Sequence, residues 1–202
     1  MGRTLTGFSF DAGGHVYRDH RGEIPHITGM LERTGWIDST WMTEESSERG
    51  KVVHSLTAHF DSESLDVATD VDESFRGYLL AHQKVAALLS PRWTHIEMPV
   101  VHPSYRFGGR PDRLGRVYGL KTVLEVKSGA PMKSHAIQTA LQAILAASEG
   151  GLPAEHWVRM AEYLTPTGKF TIKEFTDRRD FDEAYRIIRT CCGPVLNMNA
   201  HD

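Results

Sequence analysis

The chain has 202 residues, 40% of them hydrophobic and 24% charged, with a formal net charge of −3. This length supplies one well-packed core with terminal additions, and the mild acidity gives no global pull on polyanions, so any nucleic-acid surface must come from local clustering of the 23 Lys and Arg. No run of apolar residues is long enough for a membrane span or resembles a signal peptide, and the adjacent Cys191 and Cys192 read as reduced, buried thiols, so a cytoplasmic protein without a membrane partner is expected.

In chain order, FSF and HVYRD flank DAGG and read as a hairpin, and IPHITGMLERTG brings Ile27, Met30 and Leu31 to one side of a short helix. From Met42 to residue 60, Val52, Val53, Leu56 and Phe60 recur at helical spacing behind acidic first turns. A polar bridge, DSESLDVATDVD, leads to a second amphipathic helix over residues 73–89, stopped by Pro91. Three strand-like runs follow, THIEMPVVH, SYRFGGRPDRLG and LKTVLEVKS. Pro131 then opens a helix that Gly150 and Gly151 close, HWVRMAEYLT and FTIKEFT form a last hairpin, and DFDEAYRIIRTCC is a final helix before a polar tail.

The charges in GGRPDRLGRVYGLKTVLEVKSG are the informative feature. If Tyr118 and Gly119 form a two-residue turn, Asp112 stands opposite Glu125, with Cβ atoms about 5 Å apart. Alternation puts Glu125 and Lys127 on one face of their strand. Two carboxylates at that distance repel by roughly 3 kcal/mol at an effective dielectric near 20. A divalent cation removes that repulsion. Carboxylate oxygens suit Mg²⁺ or Mn²⁺, and Mg²⁺ takes only one or two carboxylates, leaving waters and phosphate oxygens to complete its shell. Lys127 beside such an ion would position or deprotonate an attacking water. The competing reading is a cross-strand ion-pair network of Asp112 and Glu125 with Arg110, Arg113 and Lys127. Arg49, Lys51, Arg110, Arg113, Arg116 and Lys133 surround these residues in sequence and would contact phosphates or form a solvated basic rim.

Pro111-Asp112 followed by Glu125-Val126-Lys127 resembles the PD-(D/E)XK nuclease superfamily, in its RecB-like and phage-exonuclease branch. The helix carrying ERGKVVH before the strands and the helix carrying HAIQTALQA after them stand in that family's order. The resemblance covers roughly residues 45–175. It implies that His54, Asp112, Glu125 and the Val126 carbonyl bind the metal, that Lys127 assists the nucleophile, that Gln138 holds substrate and that Glu97 is an auxiliary acid. Taken alone, His54 reads better as a hydrogen-bonded core-edge histidine, and Gln138 reads equally as a solvent-facing glutamine. Where the family commonly has Tyr four residues after the Gln, this chain has Gln142. Only two cysteines are present, so the four-cysteine Fe-S cluster of some members is not expected.

The resulting expectation is one α/β nuclease domain over residues 1–202, with a restriction-endonuclease-like core, a central mixed β-sheet flanked by helices in the order αβββαβ. Residues 1–41 would decorate it, residues 42–175 form the core, and residues 176–202 add a helix and tail. The activity expected by resemblance is Mg²⁺-dependent DNA exonuclease in phage-type recombination or repair, with DNA and a single-strand annealing protein or recombinase as partners. The alternatives are a structure-selective or restriction-type endonuclease and a noncatalytic DNA-binding module.

Overall fold

Five strands form the central sheet, in the spatial order β10 (Phe170–Glu174), β9 (Val158–Leu164), β8 (Leu120–Lys127), β7 (Arg113–Val117) and β4 (Arg92–Ile96). The computed structural model that shows this describes residues 7–38, 40, 43–65 and 71–193. The residue read as the start of the first long helix (Met42), the middle of the polar bridge and the C-terminal tail lie outside the described residues. Strand β7 pairs antiparallel with both β4 and β8. Strand β9 lies parallel to β8, and β10 returns antiparallel to it. A parallel pair needs a crossover, and helix α4 (Ser134–Ser148) fills it.

Helices cover both faces of the sheet. On one, Leu141, Ile144 and Leu145 of α4 pack with Met30 and Leu31 of α1 (Ile27–Arg33), Phe181 and Ile187 of α5 (Arg179–Cys192), and Leu114 and Val123 of the sheet. On the other, Val53 of α2 (Glu44–Asp61) packs with Tyr78, Val85 and Leu89 of α3 (Glu73–Leu89), and with Val117 and Val126. Leu114 and Val117, like Val123 and Val126, stand three residues apart and point opposite ways, as strand alternation requires. This is a central mixed sheet flanked by helices, with the core order α3-β4-β7-β8-α4-β9.

Two strand-like runs are broken where single strands were expected. THIEMPVVH divides into β4 and β5 (Val100–His102), because Glu97 adopts φ 50° and Pro99 has no N–H to give to a ladder. SYRFGGRPDRLG divides at Arg110-Pro111-Asp112 into β6 (Phe107–Gly109), which pairs with β5, and β7. The N-terminal hairpin gains a third strand, giving β1 (Ser9–Asp11), β2 (Val16–Asp19) and β3 (Gly22–Ile24). This small sheet docks on β6. Gly108 N donates to Pro25 O at 2.8 Å, Arg106 grips Asp19 with two bonds of 2.9 and 2.8 Å, and the Tyr17 ring lies where a Gly108 side chain would project. Cys191 and Cys192 are free thiols, half-buried rather than fully so. Among the described residues no helix is long and apolar enough to cross a membrane.

Candidate metal centre and its cleft

The β7–β8 connection sets the geometry of the site. Tyr118 and Gly119 form a two-residue turn with φ of 50° and 82°, the positive pair that matches strand twist in tight hairpins. The ladder pairs Arg113 with Leu124, and one more step sets Asp112 opposite Glu125. Val126 N–H donates to Asp112 Oδ2 at 2.7 Å, so this carboxylate is locked by the next strand. The break after β4 turns Glu97 inward, its N–H bonded to the Asp112 carbonyl at 3.0 Å. Helix α2 supplies His54, whose Nδ1 lies 3.2 Å from Asp112 Oδ1 and 3.4 Å from Glu97 Oε1.

His54, Glu97 and Asp112 each present one ligand atom, and these atoms lie within 4.8 Å of one another. One nitrogen and two carboxylate oxygens at that spacing suit a single divalent cation. Glu97, expected as an auxiliary metal ligand or acid, therefore stands inside the cluster. Glu125 stands beside it with both oxygens engaged: Oε1 accepts from Lys127 Nζ at 2.7 Å and Gln138 Nε2 at 2.5 Å, and Oε2 accepts from Gln142 Nε2 at 2.6 Å. Val126 N–H also meets the site, through its bond to Asp112 Oδ2.

Charge is balanced within the cluster. Burial alone would depress the His54 imidazolium, but the Asp112 carboxylate, with Glu97 and Glu125, raises its pKa to about 10. Burial works against Asp112 as an anion too, and His54 and Lys127 overcome it, holding it below the usual carboxylate range. Glu125 is pushed up, first by burial and then by the Asp112 charge. Burial would lower Lys127, yet Glu125 and Asp112 keep its ammonium well protonated.

A cleft of about 740 Å³ opens at His54, Glu97 and Lys127, lined also by Arg49, Lys51 and Arg110. Gly50 also lines it, and an added Cβ there would meet open space, so this glycine opens the cleft rather than bringing the helix close to the sheet. Arg49 is half-buried with its Nε lacking a partner, and Arg110 Nε lies 3.0 Å from Glu97 Oε2. Lys133 is exposed ahead of α4 and does not line the cleft. Arg113, expected to touch phosphate, is completely buried: its Nε bonds Asp61 at 2.5 Å and its Nη1 bonds the Asp112 carbonyl at 2.8 Å. Strand alternation turns it to the face opposite Asp112, so it braces the site from behind. A smaller cavity of about 180 Å³, sharing His54, Glu97 and Arg110 with the cleft, is lined by Asp112 and Glu125 and walled by His15 and Thr28, so the N-terminal segment reaches the site.

Two features escape the sequence reading. Gln142 is buried against Glu125, and its spacing of four from Gln138, which puts two amides on one helix face, was the available signal. Behind Arg113, His82 is buried between Asp61 (3.1 Å) and Glu162 (2.7 Å), joining α2, α3 and β9. Nothing in the local sequence ties those three together.

No protein-family model and no curated protein matches the chain. Among solved structures, a crystal structure from Eubacterium rectale at 2.19 Å, described as a "Putative exonuclease", is similar with a TM-score of 0.46 and 12% identity, over 80% of this chain and 69% of that one.

Proposed function

We propose that this protein is a divalent-metal-dependent nuclease that hydrolyses DNA phosphodiester bonds, acting as an exonuclease on strand ends. The observation that carries this reading is the convergence of His54, Glu97 and Asp112 on one ion-sized volume, with the Glu125–Lys127 pair alongside, where His54, Glu97 and Lys127 line a cleft together with Arg49, Lys51 and Arg110. An ion-pair network alone would need no such opening, nor three potential ligand atoms facing one another.

His54, Glu97 and Asp112 would hold Mg²⁺, with Mn²⁺ as a substitute, and the bound ion would polarise the scissile phosphate and acidify water. Lys127, fixed by Glu125, donates a hydrogen bond to the incoming water or to the phosphate and so sets the line of attack. Gln138 and Gln142 hold the Glu125 carboxyl so that Lys127 stays in place. Arg49 and Lys51 attract the strand through its backbone charge, which favours binding without sequence preference. The preference for strand ends follows from the resemblance to the RecB-like branch and is a fold-level analogy.

The test uses purified protein with end-labelled linear DNA and covalently closed circles, with Mg²⁺ or EDTA. Mononucleotide release from linear DNA alone, abolished by EDTA, is the expected result. Cleavage of closed circles would move the assignment to an endonuclease. Binding without cleavage under any divalent metal would leave a noncatalytic DNA-binding module.

A further inference from the structure

His135, at the start of α4, is only 7% exposed, yet its ring lines the cleft beside Lys127. Its two nitrogens have different surroundings. Nδ1 lies 3.3 Å from the backbone N of Met132 and 2.9 Å from the Tyr163 hydroxyl. A peptide N–H can only donate, so Nδ1 is an acceptor, shared between that N–H and the Tyr163 O–H. The proton of the neutral ring then sits on Nε2, which has no hydrogen-bond partner among the described residues.

The ring is held neutral. Burial first, then Lys127 on β8 and Lys173 on β10, lowers its pKa to about 4. Tyr163 on β9, opposite Lys127 in the parallel register, keeps its hydroxyl proton because burial raises its pKa. Lys127, Arg49 and Lys51 line the same cleft and are donors only, so an anionic strand lying there meets a wall to which the free Nε2–H adds one more donor. His135 also precedes Gln138 by three residues, so the two share a helix face, with Gln138 already on Glu125.

We propose that His135 is a phosphate-binding residue, donating Nε2–H as a neutral donor to a nonbridging oxygen of a nucleic-acid strand lying in the cleft. This rests on the nuclease reading of the cleft. The donor's tautomer is set by the Met132 N–H and the Tyr163 O–H, which leaves Nε2–H as the free donor of a ring that lines the cleft.

The test measures oligonucleotide binding by fluorescence anisotropy in an Asp112→Asn background, where cleavage is silenced. His135→Leu is expected to weaken binding by roughly five- to tenfold, and His135→Gln, which keeps an N–H donor, to recover most of it. Because the donor carries no charge, His135→Leu should leave the salt dependence unchanged, whereas Arg49→Ala lowers its slope by about one. The His135 contribution should be equal at pH 6 and pH 8. Parental affinity in the Leu variant overturns the proposal, as does a contribution that grows toward pH 6, which would mark an imidazolium. A second measurement needs no substitution at 135: ¹⁵N NMR of the intact chain should show the Nε2–H tautomer, and that signal should shift on adding oligonucleotide. An Nδ1–H tautomer, or a signal that does not move, overturns it equally. If the Asp112→Asn protein binds no oligonucleotide even at low salt, the nuclease reading falls and this assignment with it; binding that is indifferent to His135 removes the assignment alone.

Discussion

At the residue scale, Asp112 carries the most connections: it faces His54, accepts from Val126 N–H, and its carbonyl takes bonds from Glu97 N–H and from Arg113. Asp112→Asn keeps the shape and removes the charge, so a protein that melts normally but cleaves at least about 100-fold more slowly is expected in an end-release assay. Lys127→Ala should cost roughly 10²- to 10³-fold in turnover, the ordinary range for removing one donor aimed at developing charge. Gln142→Leu fills the same volume but strips one donor from a buried carboxylate, and a loss of about 1–3 kcal/mol in urea unfolding should accompany it. The opposition of Asp112 and Glu125 was legible because a two-residue turn leaves one register to extend. The burial of Arg113 was equally available, since neighbours along a strand face opposite ways. Its partner was not, because Asp61 reaches Arg113 only once α2 has packed on the sheet.

At the scale of elements, two helical glycines make opposite predictions. A methyl group at Gly77 of α3 would run into the backbone carbonyl of Pro166 in the β9–β10 turn, whereas one at Gly50 of α2 meets nothing. Helix propensity favours alanine by about 1 kcal/mol at both positions. Gly50→Ala should therefore raise the melting temperature, while Gly77→Ala should lower it, because overpacking against rigid backbone costs about 1–3 kcal/mol. Differential scanning calorimetry of the pair decides this. His82 ties α2 and α3 to β9. Burial would lower its pKa, but Asp61 and Glu162 raise it to about 9, above the ordinary value of 6.5. A raised histidine stabilises fully below its unfolded pKa and loses that contribution as pH climbs through the folded one. The stability gap between the parent and His82→Phe should be widest at pH 6 and shrink progressively toward pH 9.5, measured by urea midpoints; a gap that widens instead would contradict a charged His82. Helix periodicity showed α2 and α3 almost to their ends. This brace was illegible because Asp61, His82 and Glu162 meet only after three separate elements have packed.

At the scale of the molecule, the order of helices and strands was readable from hydrophobic period and turn residues, and the central sheet follows it. The breaks on either side of Met98-Pro99 and at Pro111 were not, because a proline flags a weakness in a strand without saying where the chain goes next. Those breaks do the positioning: one swings Glu97 toward His54, and the other sends the chain from the small β5–β6 pair into the main sheet just where Asp112 is needed. The segment before Arg33 proved equally tied to the site, through Tyr17 on Gly108 and through Ile27 where a Gly109 side chain would stand.

That docking has a bearing on how the molecule fails. Gly108 and Gly109 lie immediately ahead of Arg110, Pro111 and Asp112, so the first strands of the chain clamp the loop that presents an acidic ligand. Mild denaturant that peels this clamp away would slacken the loop while the main sheet stays intact. Catalytic turnover should consequently vanish at a lower urea concentration than helical circular dichroism, and a cross-link fixing residue 17 beside residue 108 should bring the two curves back together.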